Sequence, residues 1–129
     1  RNGRMKIIFP WHPKELSPNA RVHWAAKARA AKKYKTDCAW TLVEHGVGKQ
    51  EGNCARLKFS FYPPDNRRRD LDNLFASSKP LIDAISDAIG IDDSKFSFSF
   101  VKWEPTKGGK VVVEIKPDWR AIKTVRVAA

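Results

Sequence analysis

Leu71-Asp72-Asn73-Leu74-Phe75-Ala76-Ser77-Ser78-Lys79-Pro80-Leu81-Ile82-Asp83-Ala84-Ile85-Ser86-Asp87-Ala88-Ile89-Gly90 decides the architecture. Leu71, Leu74, Phe75, Ser78, Ile82, Ile85 and Ile89 keep one helical phase, which buries one face of this segment. Pro80 lies inside the pattern and cannot donate to the helix ladder, so a kink or two abutting helices is expected there. Gly90 stops the segment. Upstream, residues 55–62 alternate, with Leu57, Phe59 and Phe61 inward, as in a half-buried strand. Downstream, Phe96, Phe98 and Phe100 alternate with serines in a further strand. Thr106-Lys107-Gly108-Gly109 reads as a hairpin turn into a partner strand over 110–116.

At the amino-terminal side, residues 5–11 read as a short strand ended by Pro10 and Pro13. Ser17-Pro18-Asn19 is a turn and helix start, followed by about 25 helical residues closed by Gly46 and Gly48. Trp24, Ala28, Ala31, Tyr34, Cys38 and Leu42 share one stripe, and most of the tryptophans are expected in the core. The order β-α-β-α-β-β predicts a two-layer α+β domain, a small mixed sheet packed by two main helices. Residues 1–129 form one domain, with 117–129 as a carboxy-terminal tail. Arg1 to Arg4, ahead of the single methionine, read as an expression-tag remnant.

Composition narrows the function. The 129 residues carry 25 Lys+Arg against 14 Asp+Glu, a formal charge of +11, which points to an anionic partner such as nucleic acid. Hydrophobic residues make up 42%, enough for a core and too many for a disordered chain. Cys38 and Cys54 have no metal-binding spacing and read as buried, reduced thiols of an intracellular (cytoplasmic) protein. No apolar run is long enough to span a membrane.

Within this basic chain, Arg67-Arg68-Arg69-Asp70-Leu71-Asp72-Asn73 sets two carboxylates against three arginines, and Asp92-Asp93 follows about twenty residues later. Acids gathered in this way suit a hard divalent cation, which takes oxygen ligands near phosphates. Arg67, Arg68 and Arg69 would then hold a nucleic-acid backbone over the ion. Asp70 also suits a helix cap, which needs only one carboxylate. Lys79 could serve a phosphate or pair with Asp83 on the same helix. Arg21, Arg29, Lys32 and Lys33 form a basic helix face without a Glu partner four residues on, which favours phosphate contact.

Arg67 to Leu74, the Lys79-Pro-Leu-Ile-Asp83 run and Ile91-Asp92-Asp93-Ser94 resemble the RusA family of Holliday junction resolvases. The basic segment 13–34 is similar to that family's phage members, and the likeness covers residues 5–116. The resemblance implies a homodimeric, Mg2+-dependent endonuclease that nicks four-way DNA junctions symmetrically. Asp70 and Asp72 match its first two catalytic, metal-holding acids, Asp93 the third, and Lys79 its essential lysine. Asp92 stays open as a substitute for its neighbour. The chain departs from the pattern by three extra residues within 75–78, nearly one helical turn.

Two other readings compete. Glu114-Ile115-Lys116 is an ExK pattern on a strand, although alternation would place both charges on a solvated face. A non-catalytic nucleic-acid-binding protein would use the acids only as caps and ion pairs. His12, His23 and His45 have no motif spacing and read as structural, while Trp11 and Trp24 are candidates for stacking at a DNA branch.

Overall fold

The computed structural model describes residues 3–120. Strand β1 (Met5–Pro10) leads through a short 3-10 turn (Lys14–Leu16) to helix α1 (Trp24–Glu44). Strand β2 (Cys54–Tyr62) follows, then α2 (Leu71–Ser77) and α3 (Lys79–Ile89). A second 3-10 turn (Asp93–Lys95) opens β3 (Phe96–Lys102), and β4 (Lys110–Asp118) completes the α+β fold. Helix α1 begins later than the Ser17 turn suggests, because the residues between pass through an extended cap at His23. No helix among the described residues is long and apolar enough to cross a membrane.

The break anticipated at Pro80 is a junction between two helices. Ser78 ends α2 and precedes α3, and Pro80 occupies the first turn of α3, where its missing N–H costs nothing. The serine hydroxyls satisfy the loosened carbonyls: Ser77 donates to Asn73 O at 2.9 Å and Ser78 to Leu74 O at 2.9 Å. Gly90 then adopts φ 74° and closes α3 on Ser86 O.

The sheet order corrects one expectation. The strands run β1-β4-β2-β3, so β3 and β4 do not form a hairpin. β4 lies antiparallel to both β1 and β2, while β3 joins the outer side of β2 in parallel after the α2–α3 crossover. The loop between β3 and β4 therefore passes over the end of β2. Trp103 N–H donates to Phe61 O, Thr106 N–H to Pro63 O, and Trp103 stacks on Tyr62 at 6.1 Å. Gly109 turns this loop at φ 69°, and a Cβ there would meet Pro64 Cδ at 3.0 Å and Trp11 Cβ at 3.1 Å. Only glycine fits both demands.

One sheet face and the helices enclose the core. Ile7, Phe9, Leu57, Phe59, Phe61, Val111, Val113 and Ile115 meet Tyr34, Cys38 and Leu42 of α1 and Leu81, Ile85 and Ile89 of α3. Both cysteines are free and buried. Glu114 and Lys116 lie outside this core, with Glu114 3.8 Å from Arg4, as strand alternation requires. The tryptophans depart from expectation: Trp24, Trp40, Trp103 and Trp119 are all exposed, Trp24 by 76%. The apolar stripe on α1 is buried only from Tyr34 onward, where the helix crosses α3 and the sheet.

Candidate nucleic-acid interface

The turn before α2 is built around Asp65, an acid that lies outside the arginine–aspartate motif. Its carboxylate accepts from Arg67 N–H at 3.0 Å and pairs with Arg69 Nη1 at 2.9 Å. Those backbone and side-chain hydrogen bonds, in that order, hold its carboxyl below the usual carboxylate range. Arg69 also donates to Asp65 O and Arg67 O, and it lies over the Trp11 ring at 5.6 Å. Lys102 Nζ donates to Arg69 O at 3.0 Å from the far side. Arg69 is thus an inward tie, 18% exposed, whereas Arg67 and Arg68 point outward, Arg68 at 94%.

This tied turn delivers Asp70 to the helix start without using its carboxylate. Asp70 stands at the cap position of α2, yet its side chain makes no cap hydrogen bond. It is 59% exposed, with Arg68 Nε at a loose 4.0 Å. Asp72 lies in the first turn of α2, exposed, and enters no ion pair among the described residues.

The other two acids are already engaged. Asp92 caps the turn at 93–95, accepting from the Ser94 hydroxyl and from Ser94 N–H, which together hold its carboxyl low. Asp93 stands 3.7 Å from Lys79 Nζ, so the partner of Lys79 is Asp93 rather than Asp83. The pair faces a largely apolar hollow of about 400 Å³ that includes Phe75, Ile82 and Phe98.

These positions decide how far the residues fit a divalent ion. Among the described residues, no three His, Cys, Asp or Glu side chains gather closely enough to hold a metal. A three-carboxylate cage of Asp70, Asp72 and Asp93 is therefore not assembled. Mg2+ commonly uses only one or two carboxylates, with water and substrate phosphates completing its shell. The two uncommitted acids, Asp70 and Asp72, fit that lesser demand.

On α1, Arg29, Lys32 and Lys33 are exposed, and Arg21 is exposed just ahead of the helix. Lys33 does have an acidic partner four residues on, an aspartate rather than a glutamate: Asp37 at 2.8 Å. Lys35 reaches Asp87 of α3 at 3.0 Å. His23 caps α1, its Nδ1 accepting from Ala25 N–H, and His45 Nδ1 lies 2.8 Å from Thr41 O near the other end.

His12 differs from both. It is 8% exposed, stacked on Trp11 at 4.4 Å, and its Nδ1 is buried with no hydrogen-bond partner among the described residues. Burial, and then the Arg69 guanidinium, push its imidazole down to about 4. The unfolded chain, where histidine titrates near 6.5, therefore binds more protons between pH 6.5 and 4. Stability contributed by the neutral ring is present above 6.5 and is lost as pH falls toward 4. Urea unfolding at pH 7 and pH 4.5 is expected to give a parent that loses about 2–3 kcal/mol more than His12→Phe on acidification. Equal losses in the two proteins would mean that the ring is not buried neutral.

The turn thus carries an exposed basic rim at Arg67 and Arg68, with Asp70 and Asp72 exposed at the start of α2. The chain is 39% identical over 113 residues to an uncharacterised protein of Xylella fastidiosa, an alignment spanning 84% of this chain and 74% of that protein. It is 29% identical over 115 residues to the crossover junction endodeoxyribonuclease RusA of Escherichia coli, spanning 84% of this chain and 91% of RusA. No protein-family model matches the chain.

Proposed function

We propose that this chain is a RusA-like endonuclease that cuts branched DNA, four-way junctions above all, as a Mg2+-dependent homodimer. The observation that carries this reading is Asp70, delivered to a helix cap with its carboxylate making no cap hydrogen bond and bordered by the outward-pointing Arg67 and Arg68. The distant similarity to RusA across most of both chains supports the same reading. A two-fold assembly suits a junction, whose scissile strands are themselves paired by symmetry.

Asp70 and Asp72 would hold the ion, which when bound supplies Lewis-acid polarisation of the phosphate and a more acidic water. Arg67 and Arg68 would bind the flanking phosphates, with Arg69 holding their turn in place. Arg21, Arg29, Lys32 and Lys33 would extend the phosphate contacts along a duplex arm. Asp93 and Lys79 complete the proposed catalytic set. Entry of a phosphate would draw Lys79 Nζ away from Asp93 and onto the developing negative charge.

A synthetic mobile junction and a linear duplex, each incubated with Mg2+ or EDTA, test the proposal. Paired symmetric nicks in the junction alone, present only with Mg2+, are expected. A second reading, a basic binding protein without cleavage, is favoured by the Lys79–Asp93 pair and the cap formed by Asp92. Tight junction binding without nicks across several junction sequences would establish that reading and remove the nuclease.

A further inference from the structure

Beside Asp70 lies a cavity of about 550 Å³, walled by the 11–19 segment, the 64–70 turn and the start of α2. Its volume falls within the roughly 300–1,000 Å³ of sites that enclose a small organic ligand. Lys14, Arg67 and Arg68 supply positive charge, Asn73 an amide, and His12 with Trp11 the floor. The apolar hollow at Lys79 and the basic outer face of the sheet offer no comparable mixture of charge, amides and buried ring.

His12 gives the cavity its chemical character. Nδ1 is sealed from solvent and has no partner among the described residues, so the ring edge left to line the cavity carries Nε2. The neutral ring can offer Nε2 either as a donor or as an acceptor, according to its tautomer. Stacking on Trp11 at 4.4 Å, with Arg69 over Trp11, fixes the plane of the ring. A fixed imidazole edge beside cations and an amide suits a ligand bearing a phosphate at one end and a hydrogen-bonding polar edge at the other.

We infer that the cavity receives one nucleotide of the DNA strand next to the scissile phosphate, and that His12 Nε2 hydrogen-bonds to the edge of its base. His12 is thereby a specificity-determining residue: it sets which base is accommodated and positions the strand over the acids. This rests on the nuclease reading for its consequence in cleavage, but the contact itself can be observed without cleavage.

Two measurements on the full chain separate the inference from that reading. In the first, side-chain 1H–15N spectra are recorded in EDTA while a four-way junction is added. The His12 resonances, assigned by their loss in His12→Phe, are expected to shift at saturation. Unmoved His12 resonances on a saturated protein overturn the inference. In the second, Mg2+-dependent cleavage is compared on junctions that differ only in the base beside the scissile phosphate.

The parent is expected to prefer one base, and His12→Phe to narrow the spread of rates by about tenfold, the discrimination of one good base contact. Junction affinity should fall by no more than about the same factor, since phosphate contacts carry most of the binding. His12→Gln, which keeps an N–H at a similar reach, should retain most of the preference even if the phenylalanine variant fails to fold. An unchanged ranking and spread in a folded His12→Phe overturns the inference and leaves the nuclease intact. Shifted His12 resonances in a protein that cuts nothing do the reverse.

Discussion

Asp70→Asn is expected to cut a four-way junction at least about 10³-fold more slowly than the parent, the scale of loss when a central catalytic group is removed. Junction binding should remain within about twofold, since the flanking Arg67 and Arg68 are untouched. The substitution is close to isosteric, and Asn caps helices as well as Asp does. The carboxylate makes no cap hydrogen bond and is 59% exposed, so unfolding free energy should change by no more than about 0.5 kcal/mol. A loss of activity therefore could not be assigned to a frayed helix. Single-turnover rates and denaturant midpoints on the same preparation provide both readings. Cleavage at the parent rate would remove Asp70 from the site.

The largest effect on stability is expected at Phe59. Its side chain is 0% exposed, on the strand that lies between β4 and β3. Its ring stands 5.8 Å from Phe61, 6.1 Å from Phe98 and 5.7 Å from Phe100, centroid to centroid. Phe98 and Phe100 sit on the sheet edge and are only half-buried, so much of their cover comes from Phe59 and from Phe75 of α2. Phe59→Ala is expected to cost about 3–5 kcal/mol, through lost burial and the cavity left behind. Against a typical domain stability of about 5–15 kcal/mol, that would remove a large share of the margin. Urea titration with tryptophan fluorescence measures it. A cost below about 1.5 kcal/mol would show that the edge phenylalanines collapse into the gap.

Features set by local periodicity are legible in the amino-acid sequence. Leu57, Phe59 and Phe61 turn inward on β2, and the helical segment breaks at Ser78, just ahead of Pro80, as alternation and the missing N–H require. The order of strands is not legible there. Alternation tells which face of a strand is buried but not which strand lies beside it, and Gly108-Gly109 serves a loop over β2 as well as a tight hairpin. The tryptophans mislead because their size suggests a core, while Trp24 and Trp40 lie on parts of α1 that nothing among the described residues covers.

In the candidate site, the motif identifies the acids and arginines but not their division of labour. Arg69 turns inward because Asp65 and Trp11 receive it, two contacts that need the folded turn to exist. The pairing of Lys79 with Asp93 depends on how the loop after Gly90 returns to the start of α3. Spacing along one helix suggests Asp83 instead. His12 offers no spacing signal at all, since its character comes from what surrounds it and from the partner its Nδ1 lacks.

The position of β4 has a consequence for assembly. Among the described residues the last strand in the chain, β4, is an interior one, paired on both sides, and β1 touches the sheet through it alone. Until β4 arrives, β2 and β3 can meet through their crossover, but β1 has no strand to join. The order in which the chain is written and the order in which the sheet closes are therefore opposed: the first strand waits for the last.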